Sequence, residues 1–174
     1  ATDERIFRFR HPLPTGKKLE RYALLVLSGR WQGLVCSISR LIHFGELPQS
    51  LMEIIKANAI VNAAMIASTR PGNSLAGILA VAQDAYSRCG YADEWLHHHQ
   101  GGAVGYEPRE FLATPTSSDQ VSAGQAYAWN PTIAGSKIED TILVGSQKNE
   151  ILTFTPDWPL EWIRFEEYDD PVPC

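Results

Sequence analysis

What this sequence lacks narrows the field first. It has no C-x-x-C pair, and its three cysteines, Cys36, Cys89 and Cys174, stand far apart and are odd in number. Zinc ribbons and thioredoxin-type chemistry are therefore excluded, and reduced thiols in a cytoplasmic compartment are the expectation. No lysine or arginine cluster occurs and the net charge is −5. The basic face that phosphate neutralisation needs is missing, so nucleic acid is not an expected partner. No uninterrupted apolar run reaches the length of a membrane span and no signal peptide opens the chain, so no membrane partner is expected either. Repeats, low-complexity tracts and an internal linker are also missing. That leaves one domain over residues 1–174, long enough to bury a core.

What is there begins abruptly. Ala1-Thr2-Asp3-Glu4-Arg5 lacks an initiator methionine and runs into Ile6-Phe7-Arg8-Phe9-Arg10, which alternates like a strand already under way. The expectation is the C-terminal part of a longer protein. Residues 21–28 form an apolar run suited to a buried strand, residues 29–33 read as a turn, and residues 34–41 return as a second strand. Apolar residues recur at helical spacing from Pro48 to about Thr69. Arg70-Pro71-Gly72-Asn73 breaks that pattern, and Ser74 to Cys89 predicts a second helix stopped by Gly90. Beyond Trp95, strands are predicted at 103–107, 125–130, 138–145, 150–154 and 161–166, separated by Pro, Gly, Ser and Asp clusters. Hairpin, two helices and a meander together predict an α+β fold with helices on one face of a mostly antiparallel sheet. The acidic run Glu166 to Asp170 reads as a solvated end.

Polar and ionisable groups concentrate in two stretches, Trp95 to Glu110 and Trp129 to Thr141. Each admits a structural reading beside the chemical one. Three adjacent histidines are a weak metal signal, because in a strand His97 and His99 share a face while His98 points away; a surface or hydrogen-bonding role competes. Arg109 offers a fork for a carboxylate, or a plain ion pair with Glu110. Glu139-Asp140 reads alone as a solvated strand end.

Taken in order, these stretches resemble the pita-bread enzymes: creatinase, the Xaa-Pro aminopeptidases and prolidase. His98-His99-Gln100-Gly101-Gly102-Ala103-Val104-Gly105 through Glu110 is similar to their His-x-x-Gly-His-Gly-Ile-Gly-Leu-Glu-x-His-Glu element. Trp129-Asn130-Pro131 is similar to their Glu-Pro-Gly strand end, and Lys137-Ile138-Glu139-Asp140-Thr141 to Arg-Ile-Glu-Asp-Thr. Gly33 to Arg40 resembles their Gly-Tyr-x-x-Asp-Ile-Thr-Arg hairpin, and Arg70-Pro71-Gly72 their inter-helix Arg-Pro-Gly. The resemblance runs from about His11 to Leu152. It implies a pita-bread fold with a curved sheet, missing its first helix pair.

The departures carry the functional expectation. Members of this family hold two metal ions through two Asp, one His and two Glu, anionic ligands that offset two dications. The corresponding positions here are an apolar residue at Val26 or Leu27, then Ser37, Gly102, Asn130 and Glu139. Of these, Glu139 alone keeps its type. The resemblance thus implies a degenerate metal site, with no metal and no other cofactor. His11 and His98 match substrate-side histidines, Arg109 replaces a third, and Lys137 replaces an arginine. The implied cleft has His11, His98 and Glu139 as candidate catalytic groups, and Arg109, Lys137, Asn130 and His99 as candidate binding groups. Its cations suit a small molecule or peptide bearing a carboxylate. Two activities follow: metal-independent hydrolysis of a C–N bond in a peptide, amino-acid or guanidino-type ligand, with His11 as acid/base, or a non-catalytic pseudo-peptidase acting as a ligand-binding or interaction module. A homo-oligomer, or association with the protein's own N-terminal region, is expected to cover apolar surface.

Overall fold

The computed structural model describes residues 1–160 and 162–165, and the backbone of 172–173. The acidic run after Phe165 and Cys174 lie outside the described residues. The chain opens with Ala1–Asp3 against the next segment, where the Ala1 amino group donates to Leu24 O and Thr2 bridges Ala23. Residues 6–10 are not the predicted strand. Glu4–Arg8 forms a short helix, α1, because the strand edge is already taken by the first residues and only Ile6 has a core to enter.

Strands β1 (Tyr22–Trp31) and β2 (Leu34–His43) make an antiparallel hairpin longer than predicted. The turn is two residues, Gln32 and Gly33, both at positive φ, which suits the right-handed twist of the strands and lets pairing continue to Trp31↔Leu34. Because Val26 opposes Ser39 and Ser28 opposes Ser37, these four side chains share one face, while Leu27 opposes Ile38 on the other. The ambiguity between Val26 and Leu27 is thereby settled: Val26 lies on the face of Ser37.

Helix α2 (Gln49–Ser68) follows Pro48 and meets no glycine or proline for twenty residues. It ends where the Ser68 and Thr69 hydroxyls bond back to Ala64 O and Met65 O, just before Arg70-Pro71. By length and composition this helix would cross a membrane, contrary to the reading of the apolar runs. It carries Glu53 and Lys56 near its start, however, and residues 61–68 are buried throughout, so it is a core helix here. Helix α3 (Leu75–Arg88) is capped by the Ser74 hydroxyl accepting from Gly77 N, and Gly90 at positive φ follows its end.

The helices pack on a five-stranded antiparallel sheet containing β3 (Gly101–Val104), β4 (Phe111–Leu112), β5 (Ala126–Trp129), β8 (Asp140–Leu143) and β9 (Glu150–Ile151), in the order β4-β3-β5-β8-β9. Between β5 and β8 a small hairpin, β6 (Thr132–Ile133) and β7 (Ser136–Lys137), turns at Gly135. The strands are shorter than predicted and begin earlier at β3, because Gly101 already pairs with Trp129. One core spans helices and sheet, with Met65, Leu75, Ile78, Tyr86, Tyr127, Trp129 and Ile142 all buried. The Trp129 indole donates to Thr69 Oγ1 at 2.8 Å, tying sheet to helix end. The β1–β2 hairpin is joined to the sheet through β2. Ser39 N donates to Glu139 O, and the Thr141 hydroxyl bridges the Ser37 backbone. That junction is where the candidate residues meet.

Candidate functional site

Glu139 forms the floor of the cleft. It is 3% exposed, so its charge must be met by protein. Ser39 Oγ donates to its Oε2 at 2.8 Å and Arg109 donates to its Oε1 at 2.7 Å. The expectation of a solvated strand end is therefore wrong for both carboxylates. Asp140 is equally buried and accepts from Arg40 at 2.8 Å and from the Thr153 hydroxyl. Burial still holds the Asp140 carboxyl above its usual range, against the pull of Arg40. Arg109 does not pair with Glu110; that carboxylate accepts from Tyr106 N and Glu107 N and closes its own loop. The Arg109 fork is partly spent on Glu139 and on Pro108 O, while its Nε is buried without a partner.

The wall is built of imidazoles. Residues Glu94–His97 form a 3₁₀ turn, not a strand, so the predicted alternation fails. His97 is exposed, and the rings of His98 and His99 stack with centroids 4.4 Å apart. Gln100 anchors this bend. Its side-chain amide donates to His98 O and its carbonyl accepts from the Tyr86 hydroxyl. His11 arrives from the other end of the chain, held by an ion pair of its neighbour Arg10 with Glu94. Its ring lies 4.5 Å from His98 and 5.5 Å from His99. Lys137 Nζ sits 3.4 Å from His98 Nε2.

The electrostatics follow from burial beside cations. Desolvation, then Lys137, pushes His98 down to about 2. Desolvation and Arg109 push His99 down to about 4. His11 is lowered by burial and Lys137, with Glu139 opposing. Lys137, 2% exposed, is pushed down to about 8 by burial, Glu139 again opposing and Arg109 adding to the shift. The three rings are thus neutral at pH 7, each with one donor and one acceptor nitrogen. An open groove of about 520 Å³ lies beside them, lined by Phe7, Arg8, Phe9, Arg10, His11, His97 and His98.

The sequence-predicted residues His11, His98, His99, Arg109, Lys137 and Glu139 come together, and the register of β5 and β8 carries Asn130 opposite Glu139. Asn130 is buried at the end of β5 with its Oδ1 unpartnered. Gly102 cannot carry a side chain on this backbone, since a Cβ there would lie 2.1 Å from Phe111 O. Sequence reasoning missed Ser39, Gln100 and the Arg40–Asp140 pair. Ser39 was available from strand parity, two residues beyond Ser37 on the same face. Gln100 left no such signal.

The fold and the position of this cleft define a peptidase-like domain. The model of metallopeptidase family M24 matches residues 9–146, and the chain belongs to that family. An uncharacterized peptidase of Staphylococcus aureus is 29% identical over 151 residues, covering 82% of this chain and 43% of the relative. The chain thus spans less than half the length of such curated relatives. Among solved structures, the Xaa-Pro dipeptidase of Bacillus anthracis aligns with a TM-score of 0.76 at 25% identity, over 84% of this chain and 43% of that one. The prolidase of Pyrococcus horikoshii aligns with 0.77 at 23% identity, over 86% and 46%. The pita-bread fold is therefore the fold of this chain.

Proposed function

We propose that this domain binds a small carboxylate-bearing molecule, a peptide, amino acid or guanidino-type compound, without the paired metal ions of its family. The residues at the five ligand positions do not fit two dications. Val26, Ser37 and Gly102 offer one hydroxyl among them, Asn130 an amide, and both oxygens of Glu139 are engaged by Ser39 and Arg109. Arg109 brings a permanent positive charge into the same space and Lys137 a titratable one. The observation that carries the reading is this convergence of two cations and three neutral imidazoles, with Arg109 Nε and the Nδ1 atoms of His98 and His99 unpartnered. A buried donor such as Arg109 Nε is costly until a ligand accepts from it, about 1–3 kcal/mol. Exposed Leu25, Leu27, Trp31 and Leu34 on the hairpin suit a homo-oligomer or contact with protein outside this chain.

The test is a thermal-shift and calorimetric screen of full-length protein against amino acids, dipeptides and guanidino acids, each beside its decarboxylated analogue. Stabilisation by the acids but not by the analogues supports the reading. Equal response to both, or to none, removes it.

Hydrolysis is a second reading, favoured by His11, the exposed ring of the three. As an unprotonated base it would take a proton from water attacking a C–N bond and return it to the leaving nitrogen. Against it, His98 at about 2 is no acid near neutrality, and Glu139 is committed to Arg109. Product formation in chelator, lost in His11→Ala, would establish it.

A further inference from the structure

The imidazole wall holds more than an anion pocket requires. An anion is served by Arg109 and Lys137, yet three rings from two distant points of the chain are stacked here as well. A ring nitrogen from each of His11, His98 and His99 lies within 4.8 Å of the other two. The Nδ1 atoms of His98 and His99 are buried with no hydrogen-bond partner. The rings are stacked or tilted by 25–30°, so a shared ion needs them to turn until their in-plane lone pairs converge.

We propose that His11, His98 and His99 form a mononuclear site for a divalent transition-metal ion such as zinc, one ring nitrogen each, apart from Glu139 and from the five family positions. Imidazole selects zinc, copper, nickel or iron over magnesium and calcium. Three protein ligands with a fourth position free is the open arrangement that lets a metal also take an exogenous ligand. Lys137 Nζ stands 3.4 Å from His98 Nε2, so an ion on Nδ1 places the ring proton on Nε2 and requires Lys137 to face it as the free amine. The charge of Arg109 is already met by Glu139, so Lys137 is the remaining opposing cation. Zinc–nitrogen bonds of about 2.0–2.1 Å require the three nitrogens to draw closer than they now stand. His11, on an exposed segment, is the ligand free to move. This inference does not rest on the carboxylate reading, although both call on the His98 and His99 rings.

Full-length protein made without a histidine tag, stripped with chelator, is titrated with zinc chloride by calorimetry, and the loaded protein is measured at the zinc absorption edge. We expect one zinc per chain, imidazole scattering from three ligands, about 100-fold weaker binding in His11→Ala and His99→Ala, and a smaller loss in Glu139→Gln, which frees the Arg109 charge but removes no ligand. Melting curves of the chelated variants separate a lost ligand from a lost fold, and the edge spectrum of the unmutated protein needs no variant at all. Two ions per chain, or one that Glu139→Gln releases while the histidine variants keep it, would return the metal to the family centre and overturn the proposal. Affinity no better than millimolar for zinc, nickel and copper alike would overturn it as well.

Discussion

The floor of this cleft is buried and nearly saturated, Arg40 Nε being left without a partner, whereas the wall is half exposed and less satisfied. Glu139, Asp140, Arg40, Ser39 and Thr141 exchange charge and hydrogen bonds among themselves and lock β2 to β8. The wall of His11, His98 and His99 has ring nitrogens without partners and a groove beside it. A saturated network adds to stability and has little left to offer a ligand, whereas an unsaturated one costs stability until something fills it. Damage to the floor should therefore appear in folding, and damage to the wall in binding.

The floor gives the largest expected effect. Arg40→Ala removes the charged partner of buried Asp140 and three donations to backbone oxygens. It should cost about 3 kcal/mol, toward the low end for a broken buried pair because Asp140 can take up a proton. Urea denaturation measures it, and a cost under about 1 kcal/mol would erase the contrast between the two halves. Gly102→His, which restores the family's residue type, should cost a similar amount, about 3 kcal/mol, since even its Cβ overlaps Phe111 O. A stable Gly102→His protein would mean β3 and β4 yield more easily than their packing implies.

Arg109 belongs to both halves and should respond in both. Arg109→Ala frees a buried carboxylate, at about 2–3 kcal/mol of stability given its partial exposure, and also weakens a carboxylate ligand by about 1.5–3 kcal/mol. A loss in melting temperature with unaltered affinity would assign Arg109 to the floor alone.

The smallest effect is the pH response of the wall. The folded-state values of His98 and His99 are depressed, so the unfolded chain binds their protons first as pH falls. Stability is fully present above about 6.5, declines as pH drops toward about 4, where His99 levels off, and continues to fall toward about 2 through His98. Half-exposed rings are screened, so His99 should account for on the order of 1–2 kcal/mol in chelated protein. His99→Gln should flatten that part of the profile.

Much of the fold was legible before any coordinate. Helix periodicity, the Arg-Pro-Gly break and the ordered motifs from His11 to Leu152 all pointed to the architecture observed, because each is a local signal. The motifs also named residues that the fold brings near one another, but not how those residues bond. The partner of Arg109 lies thirty residues on at Glu139, and that of Ser39 a hundred. The nearest neighbour, Glu110, was the natural candidate and turned out to bond its own loop. The histidine run misled for a different reason: His97 ends a 3₁₀ turn and is not in a strand, and the rings of His98 and His99 stack beyond it.

The central claim is that Glu139 serves Arg109 and not a metal pair. Anomalous diffraction from crystals of full-length protein soaked in manganese or zinc tests it most directly. The account predicts no anomalous peak within about 2.0–2.2 Å of a Glu139 oxygen, with Arg109 still bonded there. Two peaks bridged by that carboxylate, with Arg109 swung away, would contradict it.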